Sequence, residues 1–283
     1  MSARDLAERL GLHRAGRDWR GDCPACGYSA SFVLTETREG KALGWCAACD
    51  DRKAVVAALG GERHSPPTDA TNAPERPSPA EREAWATQQW ERALPAAGTI
   101  VETYLASRAL GRVAPPALRF RPALRHYETA HLGPVMLAAV RDVAGTVRAV
   151  HRTWLRPDGT GKADVEPVRK TLGNPFGCAV RLAPAGAALV VAEGIETALA
   201  AGLLFDLPAW ACLSAGGLEA VALPASVRRV LVAADHDLNG TGQRAAQALA
   251  QRLAAEGRCV RIATPDRPGD DFNDVLLRER NHA

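Results

Sequence analysis

From residue 187 onward, short apolar runs alternate with segments whose apolar residues recur at helical spacing. The stretches "AALVVAEG" (187–194), "PAWACLS" (208–214), "VLVAA" (230–234) and "RCVRIATP" (258–265) read as strands. Between and after them, "IETALAAGLLF" (195–205), "GGLEAVALP" (216–224), "GTGQRAAQALAQRLAAEG" (240–257) and "DFNDVLLRER" (271–280) read as helices. A strand that reaches the next strand through a helix cannot form a hairpin, so the strands run parallel and the helices cover both faces. Val230–Ala234 carries no polar residue, as a strand buried on both sides does. The second half of the chain is therefore predicted to be an α/β unit.

The third of these strands carries an unusual ending. After Val230–Ala234 come Asp235, His236 and Asp237. Residues i and i+2 of a strand share a face, so the two carboxylates would lie roughly 7 Å apart. At that distance they repel unless a proton or a cation lies between them. Glu193 ends the first strand in the same way, and Asp271 follows the last one. In open α/β sheets ligands bind outside the carboxyl ends of the strands. Acidic oxygens gathered there suit Mg²⁺ or Mn²⁺, which keeps waters that substrate phosphates can replace. Asp270 and Asp274 read as helix caps. "NGTG" (239–242) is too short for a Walker A loop, though its amides at a helix N-terminus could receive a phosphate.

Seven cysteines are present, and four of them form two Cys-x-x-Cys knuckles, Cys23 with Cys26 and Cys46 with Cys49. Four thiolates so spaced wrap one Zn²⁺ with no open position, which makes the metal structural. The intervening "YSASFVLTETREGKALGW" reads as two strands and a turn, a zinc ribbon with Phe32 and Trp45 near the metal. Phe32 is expected in the small core, while Arg17, Trp19 and Arg20 are the candidate nucleic-acid contacts. Cys178, Cys212 and Cys259 stand singly in apolar contexts and read as buried hydrophobes.

Between these ends lie a linker and a basic segment. "ERHSPPTDATNAPERPSP" (62–79) is nearly devoid of apolar residues and reads as flexible. Ser78, Pro79 and Glu81 then form a capping box, and Thr99 with Glu102 a second one. Short strands follow, "PVMLAAVRD" and "VRAVHRTWLR", with turns at "VAGT" and "PDGTG". The chain's net charge is only +3, but residues 106–180 hold 12 Lys and Arg against 5 Asp and Glu. A basic segment beside an acidic one suits a polyanion substrate that meets bound metal. The predicted domains are 1–62, the linker 63–79, 80–186 and 187–283. No run of about 18 apolar residues and no apolar leader appears, so a cytoplasmic protein with no membrane association is expected.

"VVAEGIETALAA", "VLVAADHDLNGTGQRAA" and "GDDFNDVL" together resemble the Toprim domain of DnaG-type and phage primases, topoisomerases and some nucleases. The resemblance covers roughly residues 187–277. It implies that Glu193, Asp235 and Asp237 bind catalytic Mg²⁺ or Mn²⁺, two ions in all, with Asp271 a further ligand. "GDCPACG…SF…GWCAAC" resembles the primase zinc-binding domain, although one ligand there is often His. Residues 140–177 are similar to the basic polymerase subdomain of primases, which implies Arg141, Arg152 and Lys170 along the template and nucleotide path. The implied fold is a Toprim-like parallel sheet flanked by helices, preceded by a basic α+β subdomain and a zinc ribbon.

That order of parts implies a DNA-directed primase, making short primers from nucleoside triphosphates on single-stranded DNA. No Walker A motif is present, so any replicative helicase would be a separate partner. A Toprim-type nuclease using the same metals is the runner-up reading. A non-catalytic single-strand-binding adaptor is the third, and the full acid set argues against it. A topoisomerase is disfavoured because none of Tyr28, Tyr104 and Tyr127 sits in a domain large enough to gate a strand.

Overall fold

The computed structural model describes residues 3–15, 18–25, 27, 31–37, 40–46, 52–60, 77–126, 128–238 and 240–282. The chain divides into two compact units, Met1–Arg76 and Pro77–Ala283. Residues 61–76, most of the predicted linker, lie outside the described residues.

The first unit comprises α1 (Ala3–Arg9), β1 (His13–Ala15), β2 (Asp18–Gly21), β3 (Phe32–Glu36), β4 (Ala42–Cys46) and α2 (Arg52–Ala58). The four strands form an antiparallel sheet in sequence order. Alternation divides β3 and β4 into two faces: Phe32 and Leu34 are fully buried, whereas Leu43 and Trp45 point outward. Trp19 corrects its expectation. It is buried in this small core, and the Arg14 guanidinium lies 4.4 Å from its ring. Arg17 lies outside the described residues.

The second unit opens with α3 (Pro79–Glu91), β5 (Leu94–Pro95), α4 (Ile100–Ser107), β6 (Leu118–Arg125), β7 (Leu132–Arg141), β8 (Val147–Trp154), β9 (Arg169–Gly173) and β10 (Ala179–Arg181). The alternating part follows as β11 (Ala188–Ala192), α5 (Ile195–Phe205), β12 (Ala209–Ala211), α6 (Ala215–Ala220), β13 (Arg229–Ala233), α7 (Thr241–Ala255), β14 (Cys259–Ala263) and α8 (Phe272–His282). The Ser78 hydroxyl accepts the Glu81 N–H, and Glu81 accepts the Ser78 N–H, so the first capping box forms. The second departs from expectation. Thr99 accepts the Val101 N–H, but Glu102 reaches past it to the N–H groups of Gly98 and Ala114.

β12, β11, β13 and β14 are mutually parallel, as the alternation requires. The sheet does not stop there. Short β10 pairs antiparallel with both β12 and β7, so one ten-stranded sheet runs from β14 through the basic segment to β5, with β8 branching from β7 and β9 pairing with β8. Helices cover both faces. On one, α4, α5 and α8 pack around Ala138, Val140, Ala149, Val190, Ala192 and Ala233. On the other, Ala86 and Trp90 of α3 cover Ala139 and Val150, and α7 lies over β13 and β14. α5 is buried on most sides because it is wedged between the sheet and α8, where Phe205 meets Phe272 edge-on at 5.7 Å.

Candidate active site

Three of the four acidic positions follow strand ends, and the fourth, Asp271, immediately precedes α8. β11 stops at Ala192 and β13 at Ala233, so Glu193, Asp235 and Asp237 belong to the connections and not to the strands themselves. The strict i, i+2 geometry expected for the two aspartates is therefore not used. The loop that holds them is pinned to the one before α8: the His236 N–H donates to Asp270 O, and the Gly269 N–H to His236 O. His236 Nδ1 also lies 2.8 Å from Pro265 O. Two successive strand-end loops are thus tied together.

Glu193, Asp235 and Asp271 line one cavity of about 200 Å³. Asp237 does not line it. Its Oδ2 accepts the Gly242 N–H at 3.1 Å, at the start of α7. A Cβ on residue 242 would come within 3.0 Å of that oxygen, so glycine permits the approach. One of the amides expected to receive a phosphate is therefore already engaged by an aspartate. Asp271 does two things. Its Oδ1 accepts the Asp274 N–H while Asp274 accepts its own N–H, a reciprocal cap on α8. Asp270 pairs with Arg278 at 2.6 Å instead of capping.

Like charges crowd together in this cluster. Burial, followed by the charges of Asp271, Glu193 and Asp237, pushes the Asp235 carboxyl up to about 7, against a smaller opposing effect of the Thr197 hydroxyl. Asp235 Oδ1 is buried without a hydrogen-bond partner. Burial also raises the Asp271 carboxyl. Among the described residues, no group of three or more His, Cys, Asp or Glu side chains is placed so that it could hold a metal ion between them. Oxygen-only donors around one orphaned carboxylate oxygen match the chemistry of a hard divalent cation.

The same cavity is also lined by cations: Arg108, Lys162 and Arg169, together with buried His151. Arg108 is the C-cap of α4, and its carbonyl accepts from Asn273 of α8 at 2.7 Å. Lys162 leaves the turn after β8, where Gly159 has φ +71° and a Cβ would meet Ile100 O at 2.8 Å. His151 bonds Thr171 through Nδ1 at 2.9 Å, and burial, then the Arg169 charge, lowers it to about 3. It is a neutral wall of the site.

The cations picked from the sequence lie elsewhere. Arg141 donates to Gly145 O and lies over Trp90, Arg152 lies over Trp154, and Lys170 pairs with Glu128 at 2.7 Å. The β8–β9 register sets Arg152 opposite Lys170 and Thr153 opposite Arg169. Because strand side chains alternate, Arg152 and Lys170 share the face away from the cavity, while Arg169, one residue from Lys170, shares the face of His151. A single-residue offset separates the cation that lines this cavity from the one that does not. Much of the basic excess is also structural, with Arg119 and Arg121 donating to the backbone near α3 and Arg148 paired with Glu83.

Glu196 escaped the sequence reading altogether. It is 5% exposed, lines the cavity, and its Oε1 receives both the Tyr104 hydroxyl at 2.5 Å and the Lys162 ammonium at 2.8 Å. Burial alone would raise its carboxyl, but the Lys162 charge and the hydrogen bonds override it and hold the group down at about 2. Burial and the same carboxylate push the Tyr104 hydroxyl up. The visible signal was a charged residue inside the otherwise apolar helix "IETALAAGLLF".

In the first unit, Cys23 and Cys46 are buried in one small core. Ser31 Oγ lies 3.2 Å from Cys46 Sγ, and the Gly27 N–H returns to Cys23 O in the turn of the first knuckle. Cys26 and Cys49 lie outside the described residues. Of the lone cysteines, Cys178 and Cys212 are buried as expected, but Cys259 is exposed on the edge strand β14.

Residues 188–281 match the family model described as Toprim domain, and residues 80–182 match one described as a domain of unknown function, DUF7146. No curated protein matches the chain. Among solved structures, a DNA primase domain from Pseudomonas aeruginosa is 15% identical, with a TM-score of 0.46 over 70% of this chain and 75% of that one. The zinc-binding and RNA polymerase domains of the Aquifex aeolicus primase are 14% identical, with a TM-score of 0.45 over 100% of this chain and 82% of that one. The primase fragment of the bacteriophage T7 primase-helicase protein is 16% identical, with a TM-score of 0.42 over 94% and 96% respectively.

Proposed function

We propose, from the premise that residues 188–281 are a Toprim domain, that this chain is a primase-type nucleotidyltransferase making short primers on single-stranded DNA. One observation carries the reading: a single cavity is lined both by the carboxylates Glu193, Asp235 and Asp271 and by the cations Arg108, Lys162 and Arg169. A nuclease or a polymerase needs the carboxylates. A site that also accepts a free triphosphate needs the cations.

The residues present fit a divalent cation, because Asp235 Oδ1 is buried and unpartnered among like charges. Asp235, Glu193, Asp271 and, from the adjoining loop, Asp237 would hold it. When bound, Mg²⁺ or Mn²⁺ supplies neutralisation of the triphosphate and a lowered pKa of the attacking 3′-hydroxyl. Glu193 either ligates or accepts that hydroxyl's proton. Arg108, Lys162 and Arg169 face the phosphates and take the part first given to Arg141, Arg152 and Lys170. Their contacts make binding salt-dependent. Cys23, Cys26, Cys46 and Cys49 would enclose one structural Zn²⁺, and the ribbon would hold template strand. The reading includes a separate replicative helicase as partner and a cytoplasmic location. No helix among the described residues is long and apolar enough to cross a membrane.

The test uses single-stranded template, labelled nucleoside triphosphates and Mg²⁺, with Asp235→Ala and Asp237→Ala as controls. Primer products that both substitutions abolish support the reading. Shortened template with no primers assigns the site to a nuclease, and binding without turnover, indifferent to both substitutions, assigns it to an adaptor.

A further inference from the structure

Lys162 and the acidic wall share one cavity, which poses an electrostatic problem. An ammonium on a four-carbon stem is itself a good counter-ion for clustered carboxylates, so it competes with any divalent cation for them. Only one of its three N–H bonds is engaged among the described residues, and that one goes to Glu196. Glu196 is buried at the second position of α5, where the helix N-terminus favours a negative charge. Its accepting oxygen is fixed from the other side by the Tyr104 hydroxyl, contributed by α4 from outside the Toprim domain. A buried charge pair of this kind adds little net stability over an apolar substitute, so its geometry calls for another account.

We propose that Glu196, fixed by Tyr104, is a positioning residue that holds the Lys162 ammonium away from Glu193, Asp235 and Asp271, leaving that wall to a divalent cation. This rests on the reading that the wall takes such a cation. Glu196 acts through Lys162 and touches neither metal nor substrate in this role. The Lys162 ammonium is thereby kept from neutralising the carboxylates that share its cavity.

The measurement is Mn²⁺ affinity, read from the free-ion electron paramagnetic resonance signal of the full chain, with thermal melting to verify folding. The two zinc knuckles are loaded beforehand. Asp235→Asn identifies the cation site: if wild-type protein binds Mn²⁺ no better than this variant, the parent reading fails. Given a site, Glu196→Asp and Tyr104→Phe keep the net charge but release Lys162, and each is expected to weaken Mn²⁺ binding three- to tenfold. The double variant Glu196→Gln with Lys162→Met also keeps the net charge while removing the competitor, and it is expected within twofold of wild type. Unchanged affinity in both Glu196→Asp and Tyr104→Phe overturns the inference, since net charge alone would then explain the site. A folded double variant that binds weakly also overturns it, because the pair would then be supporting the site's structure. If Glu196→Asp fails to fold, Tyr104→Phe gives the same reading.

Discussion

At the scale of single residues, chemistry is set by what surrounds a side chain more than by its type. Asp235 and Asp270 are both aspartates in loops beside the cavity, yet one is buried with an orphaned oxygen and the other is paired with Arg278. Replacing Asp235 with Asn removes a repelled, buried charge. In metal-free protein at pH 8 the variant is expected to be more stable by about 1–2 kcal/mol, which is roughly 2–6 °C in melting temperature, while losing all product formation. Calorimetry in the presence of chelator, beside the primer assay, checks both halves. Glu196 behaves oppositely. Its carboxyl is held down at about 2, chiefly by Lys162 working against burial, so the stability it contributes is present above about pH 4.5. That contribution, about 3 kcal/mol at most, is lost as pH falls toward 2. Glu196→Gln should therefore lower stability at pH 7 and flatten the acid limb between pH 4.5 and 2. Denaturant titrations across that window would refute this if wild type and variant ran parallel.

Elements matter here through the turns that aim them. The connection after β8 places Lys162, and Gly159 lets it lie against α4 with φ +71°. Alanine at residue 159 meets both a strained backbone and the Ile100 carbonyl, at an expected cost of about 1–3 kcal/mol. Lys162 would be displaced with the turn, so nucleotide affinity should fall further than stability alone explains. The comparison to make is Gly159→Ala against a destabilising control such as Ser78→Ala, whose lost N-cap costs about 0.5–2 kcal/mol far from the cavity. Equal losses of affinity in the two would remove Gly159 from the site's architecture. The helices and strands themselves were legible. α5 runs over the residues that the apolar spacing predicted, and the capping box at Ser78 forms as its residue pattern dictates. The second box was misread because Glu102 is long enough to cap groups one residue upstream and in the Ala114 loop.

On the scale of the whole unit, β10 joins what the sequence presents as two segments. By pairing with both β7 and β12 it makes the basic segment and the Toprim domain a single sheet, and Tyr104 and Asn273 tie α4 to α5 and α8. Residues 77–283 are accordingly expected to melt in one cooperative transition. A piece comprising 187–283 would expose the edge of β12 and leave Glu196 without Tyr104 and Lys162, so its melt should be broad or absent. A sharp transition from the shorter piece would refute this. The sequence by itself determined the parallel strands, their helical crossovers and the acids at their ends, because hydrophobic period and chain connectivity are local properties. It could not determine which cations face those acids. Strand period is two, so Arg169 and Lys170 differ only in the side of the sheet they occupy, and the register that decides between them is set by β7, β8 and β9 pairing across the fold. The Glu196–Lys162–Tyr104 contact likewise joins residues from three distant stretches of chain, so only tertiary packing brings it into being.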